Sequence, residues 1–150
     1  MKLFIAAVFL QVLLFVGVIG QKEHLLRTGT VIRMKLAPKD PRSLLQGDYV
    51  VLRYATLQRR ALGKDSILRV VLALDPKDGF HKFARRYQDG EELKDGEVLL
   101  RGRRDYRGRP QFGIESFFVP VGTGGEVERT MKAARMRVSK SGDALVEALE

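Results

Sequence analysis

The chain has 150 residues and no cysteine, and its 27 lysines and arginines outnumber its 18 aspartates and glutamates, for a formal charge of +9. Without thiols it has neither a disulfide framework nor a thiolate zinc site, and two histidines, His24 and His81, are too few for a histidine-rich metal centre. The length leaves room for one compact domain after a short leader, and the basic surplus suits either nucleic acid or an anionic membrane surface.

The first predicted element is that leader. Residues 3–20, "LFIAAVFLQVLLFVGVIG", form an 18-residue apolar run broken only by Gln11. As a helix it is about 27 Å long at ~1.5 Å per residue, close to the ~30 Å of bilayer hydrocarbon. Three readings compete: a retained anchor, a cleaved signal peptide and a buried core helix. A core helix would show a polar stripe at helical spacing, and this run is apolar all round. Cleavage after Gly20 would put Val18 where a small residue is preferred, and the run exceeds the ~7–15 residues of a signal core. A transmembrane anchor over residues 1–20, meeting the bilayer through 3–20, is therefore preferred to a signal peptide. Lys2 lies on one flank and Lys22, Arg27 and Arg33 on the other, diluted by Glu23. Counted strictly, the charges lean slightly against a cytoplasmic N-terminus, whereas a short tail before a folded domain is the usual signal-anchor layout. Charge alone does not orient the chain.

Residues 21–29 read as a polar juxtamembrane linker and residues 30–150 as a β domain. "TVIRMKLAP" alternates Val31, Arg33 and Lys35 against Ile32, Met34 and Leu36, the mark of a half-buried strand, and Pro38 and Pro41 end it. "DYVVLRYATL" is β-branched and aromatic, with Val50, Leu52 and Tyr54 on one face and Tyr49, Val51 and Arg53 on the other. "SILRVVLALD" is a third strand, closed by the "DPKDG" turn. "FHKFARRYQ" sets Phe80, Lys82, Ala84 and Arg86 against His81, Phe83, Arg85 and Tyr87. "DGEELKDG" is a polar connection with two Asp-Gly turn signals. "EVLLRGRRDYRGRPQFGIESFFVP" reads as two strands around a "YRGRP" turn, "GTGGEVERTM" as glycines and a short helical turn, and "AARMRVSKSGDALVEAL" as a hairpin. The expected fold is mainly β: an N-terminal transmembrane helix followed by a small sandwich- or barrel-like domain of about eight short strands.

The string "GDYVVLRY" carries a family resemblance. Gly47, Asp48, Tyr49, Leu52 and Tyr54 fill the five named positions of the GDYXXLXY signature, and "DPRSLLQ" before it, with Asp40, Pro41 and Arg42, is similar to the usual lead-in. "LRGR" (100–103) and "FGIESFFVPVGTGGEVE" (112–128) look like the family's second block, except that Val121 stands where an acidic residue is more usual. The chain thus resembles the GDYXXLXY family of bacterial membrane-associated proteins over most of its length. The resemblance implies a single-pass envelope protein with its C-terminal domain on the extracytoplasmic (periplasmic) side, beside a multi-spanning membrane partner. It implies no mechanism.

Chemistry is weakly marked. The Gly-Asp-strand step is also similar to the segment after the nucleophile of serine–lysine signal peptidases, but "LAPKDP" holds no serine where that nucleophile belongs, and Ser43 lies beyond it in a turn. Asp40, Asp48 and Asp75 lack calcium-loop spacing and suit ordinary turn chemistry. No catalytic, metal-ligating or cofactor-binding residue is assigned, and no cofactor is expected. Asp40, Pro41, Arg42, Gly47, Asp48, Tyr49, Leu52 and Tyr54 read as folding grammar first, with Asp48, Tyr49 and Arg53 as a candidate binding surface. "RGRRDYRGR" packs Arg101, Arg103, Arg104, Arg107 and Arg109 into nine residues around Tyr106. It is either a solvated hairpin tip or a candidate interaction patch for lipid headgroups, an acidic envelope polymer or an acidic partner surface, both ahead of nucleic acid, which an extracytoplasmic anchor would hold out of reach. The leading functional expectation is a non-enzymatic accessory domain for an integral-membrane partner; a signal-peptidase-like serine hydrolase of the envelope is the alternative.

Overall fold

The computed structural model describes residues 1–37, 49–57, 62, 65–120 and 122–150. Helix α1, Lys2–Thr28, contains the apolar run and continues through residues 21–28, so the segment read as a linker is helical almost to its end. The side chains described along the apolar run stand exposed, and none of the membrane-length window is buried against the domain. That excludes the core-helix reading. The helix meets the domain only near its C-terminus, where Leu25 is buried and the Gly29 N–H donates to the Leu25 carbonyl. Arg27 in the last turn complements the helix dipole and pairs with Glu23 at 2.8 Å.

Nine strands come after it among the described residues, one more than expected. They are β1 (Thr30–Lys35), β2 (Tyr49–Val51), β3 (Ile67–Leu74), β4 (His81–Arg86), β5 (Glu97–Arg104), β6 (Pro110–Gln111), β7 (Ser116–Phe118), β8 (Ala133–Val138) and β9 (Ala144–Leu149), with helix α2 (Gly124–Thr130) between β7 and β8. They form three antiparallel sheets, ordered β1-β8-β9, β2-β7 and β4-β3-β5-β6. No barrel closes among the described strands, so of the two expected shapes only the open, sandwich-like one survives.

Alternation decides which faces meet. Ile32 and Met34 of β1, Met136 and Val138 of β8, Leu68, Val70 and Leu72 of β3 and Leu100 of β5 are all nearly fully buried and belong to one core. Val50, Leu52 and Tyr54 enter the same core from β2 and the residues after it, as their shared parity requires, while Val51 faces outward. The DPKDG turn closes β3 to β4 with Gly79 at a positive φ of 72° and its N–H on the Asp75 carbonyl. The second-strand reading over "PQFGIESFFVP" is corrected, because the segment breaks in two. β6 pairs with β5, the chain turns at Gly113 with a φ of 79°, and β7 pairs with β2 in another sheet. The Glu115 carboxylate holds that corner by accepting the Phe112 and Gly113 amides. The strand read over "DYVVLRYATL" is likewise shorter than expected, and a single bridge from Tyr54 to Leu36 continues it.

Two contacts tie these layers together. At Gly102 in β5, a Cβ would stand 2.5 Å from both the Gln111 carbonyl oxygen and the Phe112 ring, so the middle of "RGR" has no room for a side chain. His81, the first residue of β4, is buried, and its Nδ1 accepts the Arg33 amide of β1 at 3.4 Å, joining the edges of two sheets. Burial holds its imidazolium pKa below the ordinary histidine value.

Gly102→Ala should cost about 1–3 kcal/mol in chemical unfolding of the detergent-solubilised protein, as overpacked sites do. For His81 the folded ring binds its proton at lower pH than the unfolded ring, which titrates near ~6.5. Stability is therefore fully present above that value and declines as pH falls through it toward the folded pKa. The urea midpoint should begin to drop between about pH 7 and pH 5, well before carboxylates protonate near ~4, and His81→Gln should flatten that early limb.

Candidate functional site

Signature residues line a groove at one end of the domain. β1 and the residues after β2 are joined where the Ala37 N–H donates to the Arg53 carbonyl at 2.7 Å and the Ala55 N–H to the Lys35 carbonyl at 3.2 Å. Beside this junction the end of β1, the β2 segment, α2 and the end of β9 border an open groove of about 300 Å³. That is the lower end of the size range of small-ligand and peptide-anchor pockets, roughly 300–1,000 Å³.

The floor is apolar: Leu36, Val50, Leu52, Val127, Met131 and Leu149 line it, with Val51 at its margin. The rim is cationic: Lys35 from the end of β1, Arg53 from the signature, Arg129 from α2 and Lys132 just before β8. All four are exposed, and no acidic residue is among the described lining. The strand periodicity places Lys35 and Arg53 on outward-facing positions, while the seven-residue helix brings Arg129 round to the same opening. Such a groove can take an apolar group with a negative charge at its edge. Among the described residues no three histidines, cysteines or acids converge to hold a metal ion.

The motif residues divide sharply. Asp40, Pro41, Arg42, Ser43, Gly47 and Asp48 lie outside the described residues, as does Val121. The Tyr49 backbone pairs with that of Phe118, whose side chain is 80% exposed. Leu52 is buried, and its N–H donates to the Glu115 carbonyl at 2.7 Å, so it joins the signature strand to the second block. Tyr54 is the core tyrosine: its hydroxyl donates to the Ile114 carbonyl at 2.6 Å, and burial, followed by the Glu115 charge, pushes its pKa far above the ordinary phenol value. It is a structural phenol, not an acid or base near neutral pH.

The five arginines are brought to one end of β5 and its turn, but most of them are engaged there. Arg101 pairs with Asp143 at 2.8 Å and Arg109 with Asp105 at 2.7 Å, while Arg104 donates to the Asp65 and Gly108 carbonyls. The Arg109 amide, the Arg109 guanidinium and the Arg107 amide hold the Asp105 carboxyl below its usual range. Arg103 is exposed, and Arg107 lies over the Tyr106 ring, 5.1 Å from its centroid. The run therefore builds a braced turn. Sequence reasoning found Arg53 but missed Lys35, Arg129 and Lys132, which are spread over almost a hundred positions and share no motif.

Tyr54→Phe removes one buried hydroxyl and leaves the Ile114 carbonyl without that donor, so unfolding free energy should fall by about 1–2 kcal/mol while the folded far-ultraviolet spectrum is kept.

No curated protein and no solved structure matches the chain. The family model described as GDYXXLXY protein matches residues 11–149, from the middle of the apolar helix to the last strand. The signature strand, the second block that pairs with it and the helix that precedes both are parts of one unit, and the chain belongs to the GDYXXLXY family.

Proposed function

We propose that α1 anchors the chain in a membrane with the β domain on the extracytoplasmic side, and that the domain serves a multi-spanning membrane protein as a non-catalytic interaction module. In this reading the signature groove takes an acidic, partly apolar segment of that partner. One observation carries it: the signature strand forms a wall of a groove whose floor is apolar and whose described charges are all positive. The helix supports the anchoring, since it is long and apolar enough to cross a bilayer and none of its apolar window is buried against the domain. Charged rims guide encounter and select partners, and apolar floors supply affinity.

The test is recovery of the partner with tagged full-length protein from mild detergent. The unmodified chain should bring down a multi-spanning protein. Arg53→Glu with Arg129→Glu should reduce that recovery by about tenfold, the effect growing at low salt, without changing the unfolding midpoint. Ser43→Ala should leave recovery and biological activity intact. Equal recovery by the double charge reversal would remove the groove from the interaction, and loss of activity with Ser43→Ala would favour the hydrolase instead.

A further inference from the structure

The two ends of the domain are unlike, and only one of them adjoins α1. β1 starts one residue after α1 ends, and Thr30 pairs with Val138 while Lys35 pairs with Ala133. The β8-β9 tip, residues 139–143, is therefore at the helix end of the sheet, and Lys35 and Lys132 with the groove are at the far end, about 17 Å away along six strand residues. Residues 21–28 carry the helix about 12 Å beyond the apolar run, and the headgroup layer on each side of the hydrocarbon is about 5–8 Å thick.

Within that stretch, Lys22 and His24 of α1 line a broad cleft of about 860 Å³ with Arg101, Lys140, Ser141 and Asp143. The tip is held in place. The Arg101 N–H donates to the Gly142 carbonyl at 2.7 Å, Arg101 pairs with Asp143, and the Ser139 and Ser141 hydroxyls meet at 2.8 Å. Gly142 has a φ of 88°, and a Cβ on it would stand 2.9 Å from the Arg101 nitrogen. Lys140 is carried exposed on this hydrogen-bonded turn. Three cations, Lys22, Arg101 and Lys140, face one acid, Asp143, which already accepts from Ser141 and Arg101; the nearby Glu23 is paired with Arg27.

We infer that the β8-β9 tip and the first polar turn of α1 form a second membrane contact, a cationic surface that rests on anionic lipid headgroups and keeps the signature groove facing away from the bilayer. The inference rests on the anchoring proposed above. A single anchor leaves a domain free to tilt, whereas a helix spliced to a sheet edge, with a lysine-bearing turn at headgroup depth, gives the domain two points of support. Lysines at this depth gain from the negative surface potential of the leaflet.

The native lysines report the contact. The full chain is placed in nanodiscs of phosphatidylcholine alone or mixed with phosphatidylglycerol, and amine acetylation by a water-soluble reagent is followed by mass spectrometry. Lys22 and Lys140 should lose reactivity in the anionic discs, while Lys35 and Lys132 react equally in both. Protection of Lys22 alone, or equal reactivity of Lys140 in the two bilayers, would overturn the contact. Protection of Lys140 by inorganic phosphate in phosphatidylcholine discs would make the cleft a small-anion site and overturn the lipid surface. Because the chain has no cysteine, Leu13→Cys carries a single fluorophore. Its quenching by acyl-chain nitroxides shows the anchor inserted, so a failed lysine result with that quenching present refutes the contact and leaves the anchor standing. Without the quenching, the anchor and the contact fall together.

Discussion

Gly29 alone separates the last helical residue, Thr28, from the first strand residue, Thr30. A Cβ at this position would stand 2.6 Å from the Leu25 carbonyl oxygen and 3.1 Å from Arg137, so the splice is made at a residue with no side chain to accommodate. Leu25 is buried beneath it, and the Arg137 guanidinium reaches back to the Gly29 carbonyl at 3.4 Å. A long flexible linker would let the domain sample every orientation relative to the helix. This junction instead makes the direction of α1 a property of the β1-β8-β9 sheet. It thereby sets which end of the domain adjoins the helix and which end stands away from it.

The signature can be understood on the same terms. Leu52 and Tyr54 are core residues, and both are tied by hydrogen bonds to the segment around Ile114 and Glu115. The described part of the first block and residues 112–118 of the second are thus the two strands of one ribbon and the corner that feeds it. Gly102 belongs to the same arrangement, since it lets β5 approach Gln111 and Phe112 just before the chain crosses to that ribbon. A motif built mostly of packing residues can still define a binding surface, because its outward positions, Val51 and Arg53, are placed by the inward ones.

Many of the charged side chains hold turns and strand faces. Lys82 bridges Asp75 and Asp78 at 2.6 and 2.7 Å across the β3-β4 turn, and Arg85 joins Glu91 to Glu97 beside the long polar connection. On the β1-β8-β9 sheet, Arg33 directly opposes Arg135, and Glu150 accepts from Arg33 at 2.6 Å and lies 3.7 Å from Arg135. Exposed pairs of this kind contribute little to stability individually, about 0–1 kcal/mol, but they neutralise charge locally. Against that background, cations outnumber acids in the described lining of the groove at the far end and of the cleft beside the helix. The two are at opposite poles of the same sheet.

The membrane-length helix, most of the strands, their inward faces, the DPKDG turn and the closing hairpin could all be read from the sequence, because each depends on local periodicity or turn chemistry. The parity of "YVVLRY" correctly separated Val50, Leu52 and Tyr54 from Val51. Composition likewise gave the basic surplus, though not its fate. Only the tertiary structure decided that "PQFGIESFF" changes sheets, that the polar residues after Gly20 stay helical, and that the arginine run is mostly braced. It alone assembled Lys35, Arg53, Arg129 and Lys132 around one groove. The reason is physical: which face a residue takes is set by its neighbours in the chain, whereas which charges meet is set by strand order and corner geometry, which bring together residues far apart in sequence.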